Sequence, residues 1–207
     1  MYVQYGCGFS APAEWVNFDA SMTLRWERMP IAGRMFTKNS ARFPSNVRCG
    51  DIVKGLPISD GSCRGVYASH VLEHLAQEDF HKALENTKRI LTGGGLFRLV
   101  VPDLEFSARK YVKQVDAGDP KANDFFIRAT NLGEEKRARG LTGSVYAFLR
   151  TSRHLWMWDA LSLERALAEH DFHQIRRCKF GDCEDPMFNL VEEESRFNHA
   201  VAMEARR

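Results

Sequence analysis

The residues best placed for chemistry begin at Tyr5-Gly6-Cys7-Gly8, where a short β-type segment runs into a glycine turn. Glycines at the carboxyl end of a strand let the backbone come close to a ligand. With Ala11 the turn satisfies G-x-G-x-x-A, a pattern shared with dinucleotide-binding folds. Spacing argues against a dinucleotide: the ribose-binding acid should stand about 20 residues beyond the glycines, after a full crossover helix. Here Asp19 arrives much sooner, and Pro12 interrupts the interval. Asp19, at the end of an apolar strand segment, remains suited to accept two hydrogen bonds from ribose hydroxyls, because an ionised carboxylate is an acceptor-only group. The competing reading is a loop or helix-cap aspartate. Asp51 follows the next strand in the same relation, where it can accept from an adenine amino group beside Ile52. His70 and His74 are the acid/base candidates, since imidazole titrates near neutrality. For His74, four residues further on, packing or capping is the plainer role.

These residues need strands to carry them. Tyr2–Tyr5, Trp15–Phe18, Val47–Cys49 and Gly65–Ala68 are rich in β-branched and aromatic residues. From Asp79 a helical face of Phe80, Ala83, Leu84, Thr87 and Leu91 is expected, closed by Gly93-Gly94-Gly95. The almost wholly apolar Leu96–Val101 then reads as a parallel strand covered on both faces and stopped by Pro102. From Leu104 to about Trp158 the pattern is helical, with Asp119-Pro120 read as an N-cap followed by proline at the first helical position. A helix from about Ser162 to His170 and strands at Ile175–Phe180 and His199–Ala205 complete the sheet. The expectation is a single domain of three parts: residues 1–103 as the cofactor-binding half, 104–160 as a helical insertion or lid, and 161–207 as the C-terminal helix and last strands.

Composition excludes several classes. A chain of 207 residues fits one core, and no apolar run approaches the roughly 20 residues needed to span a membrane. Met1 leads straight into Tyr2-Val3-Gln4-Tyr5 without an export-type leader, so the cytoplasm is the expected compartment. A net charge of +2 is too mild for a nucleic-acid protein. The five cysteines form no C-x-x-C pair and are odd in number, which argues against a disulfide framework and a cysteine zinc site. No metal is expected.

The stretch Leu56-Pro57-Ile58-Ser59-Asp60-Gly61-Ser62, followed by Val66-Tyr67-Ala68-Ser69-His70-Val71-Leu72-Glu73-His74-Leu75, resembles the class I methyltransferases of the type 11 group. The likeness continues through Lys88-Arg89-Ile90-Leu91, the three glycines and Val101-Pro102-Asp103. His154-Leu155-Trp156-Met157-Trp158 before Ser162-Leu163, with the helix end Ala168–Phe172, is similar to a bacterial subgroup of that family. The resemblance implies a doubly wound α/β fold: a mostly parallel, seven-stranded, Rossmann-like sheet with an antiparallel last strand and a helical insertion after the fifth. It also implies S-adenosyl-L-methionine as cofactor, with S-adenosyl-L-homocysteine as product. Tyr5 would border the cofactor, Gly6, Cys7 and Gly8 would face its methionine part, Asp19 its ribose, and Asp51 and Ile52 its adenine. Ser69 and His70 would lie beside the sulfonium and the acceptor. One departure from the family stands out: Phe9–Glu14 leaves hardly a helical turn for the first crossover, where parallel connections use about a dozen residues or more.

The insertion interleaves Phe106, Tyr111, Phe125, Phe126, Tyr146, Phe148, Trp156 and Trp158 with Arg137, Arg139, Arg150, Arg153 and His154. Most of these aromatics suit a helical core, but a segment overhanging the sheet edge can also act as a lid. Arg153, His154 and Trp156 are the candidates for the acceptor side, and a small-molecule or glycan acceptor fits them. The partners allowed for are that acceptor and a second copy of the chain, without nucleic acid or membrane. Two other functions remain open: an S-adenosylmethionine-binding protein without catalysis, and a dinucleotide-dependent oxidoreductase.

Overall fold

The computed structural model describes residues 1–29, 41–133 and 153–207. Seven strands build one sheet: β1 (Tyr2–Tyr5), β2 (Val16–Asp19), β3 (Val47–Cys49), β4 (Cys63–Ser69), β5 (Leu91–Pro102), β6 (His173–Arg177) and β7 (Ala200–Arg206). Their order is β3-β2-β1-β4-β5-β7-β6. The first five pair in parallel, and β7 runs antiparallel between β5 and β6. Chain direction across the sheet therefore reverses between β1 and β4, the point where open α/β sheets leave a ligand crevice at their carboxyl ends. The described helices are α1 (Met22–Glu27), α2 (Gln77–Ile90), α3 (Leu104–Asp116), α4 (Ala122–Ala129) and α5 (Ala160–Glu169).

The apolar face of α2 places Phe80, Ala83, Leu84, Thr87 and Ile90 in the core. Its end differs from the expected glycine stop. The helix finishes at Ile90 because the Gly61 and Ser62 amides take the carbonyls of Arg89 and Ile90, and Leu91, fully buried, already pairs with Cys63 in β5. The three glycines thus open the strand instead of closing the helix. Asp119-Pro120 is likewise not the N-cap: α4 starts at Ala122, and the Asp119 carboxylate instead accepts the Lys121 amide at 2.9 Å in the preceding turn. The helix expected near Ser162 begins at Ala160 behind a capping box formed by Asp159 and Ser162. β6 ends at Arg177, short of Phe180, because the chain turns at Lys179–Asp182, where the Asp182 carboxylate accepts the Lys179 amide at 2.9 Å.

The two faces of the sheet are covered differently. On one, α2 and α5 press Phe80, Leu84, Leu163 and Leu167 against Phe18, Val66, Phe97 and Leu99. Residues 6–15, which join the neighbouring parallel strands β1 and β2, contain no helix. The other face, with Trp15, Tyr67, Leu96 and Val100, is closed by the segment between β6 and β7, which supplies Phe188 and Val191. Trp15 Nε1 donates to the Met187 carbonyl at 3.1 Å, and the Tyr2 hydroxyl donates to Asp185 at 2.7 Å.

Arg98 interrupts the apolar run of β5 and is wholly buried. Its guanidinium donates to Glu192, to Glu204 at 2.9 Å, to Asp182 at 2.9 Å and to the Lys179 carbonyl at 2.6 Å. One side chain thereby fastens β5 to β7 and to the covering segment. Removing one partner of a buried charge network leaves the others uncompensated, at roughly 3 to 5 kcal/mol. Arg98→Ala is expected to lose stability on that scale in urea denaturation, whereas Lys82→Ala, which breaks an exposed pair with Glu78, should be near neutral.

Candidate functional site

The turn after β1 is built by two glycines and an acid. Gly6 and Gly8 hold φ of +65° and +55°, a region costly for residues bearing a Cβ. A Cβ on Gly6 would fall 2.1 Å from Cγ2 of Val71, so the turn lies directly against the segment leaving β4. A Cβ on Gly8 would meet nothing within 4 Å. The Asp19 carboxylate, almost fully buried, accepts the Gly8 amide at 3.0 Å through Oδ2 and the Ser21 amide at 2.8 Å through Oδ1. Two of its roughly four lone-pair positions remain. The loop-aspartate and ligand-binding readings are therefore compatible, since Asp19 shapes the turn and still presents acceptor capacity beside open ground over Gly8. The buried Cys7 thiol is pushed up to about 12 by burial and by the neighbouring Asp19 charge.

The remaining cofactor candidates divide into backbone and side-chain contributors. Asp51 stands past β3, partly exposed, with Oδ1 accepting the Val53 amide at 3.0 Å. Ile52 is buried in the main core, and its carbonyl accepts from Asn86 at 2.8 Å. Tyr5 also points into the core, its hydroxyl 3.2 Å from that of Thr87, so only its backbone borders the turn. The Ser69 hydroxyl is buried without a hydrogen-bond partner.

His70 occupies a left-handed conformation, φ +54°, at the end of β4. Its Nε2 faces the Arg196 carbonyl at 2.8 Å and its Nδ1 lies 3.4 Å from Glu73 Oε1. Burial opposes protonation, yet the Glu73 carboxylate and the Arg196 carbonyl outweigh it and raise the imidazole above its ordinary value. Both nitrogens thus face acceptors. The structure does not bring His70 and His74 into a shared helix face. A 3₁₀ turn at Leu72–His74 separates them and places Glu73 between them. His74 Nε2 is 3.8 Å and His154 Nε2 4.0 Å from Glu73 Oε1, and the Glu73 carbonyl accepts the amides of Leu155 and Trp156. Burial lowers the pKa of His154 below the ordinary imidazole value. Trp156 is exposed. The sequence reading placed His154 and Trp156 near the acceptor side but gave Glu73 no role. Its meeting with His154, 81 positions on, leaves no local signal. Arg137, Arg139, Tyr146, Phe148 and Arg150 lie outside the described residues.

A cavity of about 480 Å³, lined by Arg64, Gly93–Leu96, Asp185 and Arg206, opens at the amino ends of β4 and β5. It is at the opposite edge from Gly8 and Asp19 and takes no part in this site.

Residues 3–99 match the family described as "Methyltransferase domain". The match runs from β1 into β5. A SAM-dependent methyltransferase from Archaeoglobus fulgidus superposes with TM-score 0.52 at 15% identity, over 100% of this chain and 85% of that one. A SAM-dependent methyltransferase from Thermotoga maritima, described as a possible histamine N-methyltransferase, gives 0.50 at 17% identity over 99% and 81%. No curated protein matches the chain. The fold is that of the Rossmann-like, class I S-adenosylmethionine-dependent methyltransferases, with the parallel strands and antiparallel β7 that the sequence implied. No helix among the described residues is long and apolar enough to cross a membrane.

The contact between Gly6 and Val71 makes a direct test of how this turn packs. Gly6→Ala should cost about 1 to 3 kcal/mol of stability through overpacking, and Val71→Ala in the same chain should restore part of it. Urea titrations giving additive losses for the two substitutions would show that the contact does not matter.

Proposed function

We propose that the chain transfers the methyl group of S-adenosyl-L-methionine to a small-molecule or glycan-type acceptor at the carboxyl edge of β1 and β4. The observation that carries this reading is the open ground above Gly8 beside a buried carboxylate with acceptor positions left over. The bound cofactor supplies an electrophilic methyl group on a sulfonium. Around it, Gly6 and Gly8 allow close backbone approach, Asp19 accepts from the ribose hydroxyls, and Asp51 accepts from the adenine amine. Cys7 stays a thiol at neutral pH, so it does not compete with the acceptor for the methyl group.

His70 suits a positioning role better than the general base first considered, because neither ring nitrogen presents a lone pair to an acceptor. Methyl transfer depends chiefly on aligning nucleophile, carbon and sulfur in a dry site. Trp156 and Arg153 flank this edge and suit an acceptor with aromatic, sugar-like or anionic groups. A cytoplasmic enzyme, alone or as a homodimer, is consistent with this reading.

S-adenosylhomocysteine at 100 times its dissociation constant is expected to stabilise the protein by about 2.7 kcal/mol, visible as a rise of several degrees in Tm, while NAD leaves Tm unchanged. A shift with NAD alone would remove the proposal. Asp19→Ala should weaken S-adenosylhomocysteine binding by about 1.5 to 3 kcal/mol, through loss of charge-assisted hydrogen bonds. Calorimetry finding wild-type affinity would reduce Asp19 to a loop residue. Turnover of labelled cofactor against a panel of acceptors then separates an enzyme from a binding protein.

A further inference from the structure

Among the described residues, one cluster lacks the partners its burial demands. Glu73 is 1% exposed, and neither of its carboxylate oxygens has a hydrogen-bond partner. A buried carboxylate requires compensation by a charge or by well-formed hydrogen bonds. Three imidazoles surround it, yet none supplies a good bond. The His70 contact at 3.4 Å gives partial counter-charge from one side. His74 and His154 stand at 3.8 and 4.0 Å, beyond hydrogen-bond range.

The second observation concerns which nitrogen carries the proton. His74 Nδ1 lies 2.8 Å from the Arg153 carbonyl. A carbonyl only accepts, so Nδ1–H donates, and in the neutral ring Nε2 turns its lone pair towards Glu73. A lone pair facing a carboxylate is repulsive unless a cation lies between them. Donation of the other ring N–H to a backbone carbonyl is also the arrangement that orients metal-bound histidines. His154 Nε2 faces the same oxygen, with Asn131 Nδ2 at the 3.5 Å limit. One donor atom from each of Glu73, His74 and His154 lies within 4.8 Å of the others. Two bonds of about 2.1 Å at a tetrahedral angle put ligand atoms roughly 3.4 Å apart, so a small contraction completes the set.

We propose that Glu73, His74 Nε2 and His154 Nε2 bind a divalent transition-metal ion of the zinc type, a site the cysteine pattern gave no reason to expect. Two imidazoles and one carboxylate suit zinc(II), and three protein ligands leave a fourth position for water or another oxygen or nitrogen donor. The ion would clasp the His154–Trp156 segment to the turn after β4, reinforcing the two backbone bonds already made to the Glu73 carbonyl. This inference does not rest on the methyltransferase reading.

The test uses the full chain, stripped with a chelator, dialysed, and titrated separately with Zn²⁺ and Co²⁺. One equivalent of zinc by mass spectrometry and a visible absorption band of tetrahedral cobalt are expected. His74→Ala, at a partly exposed position, and His154→Gln should each weaken zinc binding by more than about 100-fold, since loss even of an outer-shell partner costs 10- to 100-fold. His170→Gln, a histidine remote from the cluster, should leave it unchanged. Circular dichroism of each variant checks folding, and a variant that fails to fold is replaced by Glu73→Gln with the same expected loss. Less than a tenth of an equivalent in the wild type would overturn the site, as would a cobalt spectrum unaltered in a folded His74→Ala protein. Nitrogen-15 spectra of the metal-free wild type showing His74 protonated at both nitrogens near pH 7 would also overturn it, because a proton would then fill the place assigned to the ion.

Discussion

The contact between Gly6 and Val71 is the constraint on which the working edge depends. It lies where the strand order reverses, and the absence of a side chain on Gly6 lets the turn after β1 and the turn after β4 occupy neighbouring space. Everything around Asp19 follows from the first turn: the amide of Gly8 offered to its carboxylate, and the amide of Ser21 that starts α1 on the other carboxylate oxygen. Everything on the histidine side follows from the second. There His70, in its left-handed conformation, bends the chain into a 3₁₀ turn and drops Glu73 inward.

Two buried charge clusters bracket the range of ways a protein holds ions away from water. Around Arg98, three carboxylates and a carbonyl converge on one planar, multidentate cation, and Arg176 adds a second positive charge through Glu204 and Asp182. Each of these Arg98 donors finds an acceptor within hydrogen-bond reach. Around Glu73 the geometry is looser: His74 and His154 stand too far away to bond to its carboxylate, and His70 approaches only to 3.4 Å. The first cluster is complete within the protein and carries the architecture. The second is complete only with something placed at its centre.

Much of the framework could be read along the chain because it arises from local periodicity. The strands leading to Gly6, Asp19 and Asp51, and the apolar face of α2, follow directly from alternation and helical spacing. The misreadings share one cause, a distant group doing work that the sequence seemed to assign locally. The carbonyls ending α2 are capped by amides some 28 residues earlier, so the three glycines were free to begin a strand. Arg98 reads as an intrusion in an apolar run until its partners, 81 to 106 positions away, come into view. Glu73 had no partner in its own segment except the flanking histidines, so its meeting with His154 was out of reach of any spacing rule.

The helix-free link between β1 and β2 also affects how the chain reaches its native state. In that link's place, the face bearing Tyr2, Trp15 and Tyr67 is sealed by Phe188 and Val191, and the sheet is finished only when β7 enters between β5 and β6. Strands β1, β2 and β4, made earlier than β7, therefore expose a row of aromatic rings until residues near position 200 emerge. Contacts of such long sequence separation form late and slowly, and an uncovered apolar sheet face is prone to aggregation while it waits. The sheet face built from the earlier strands thus depends for its solubility on a segment translated well after it.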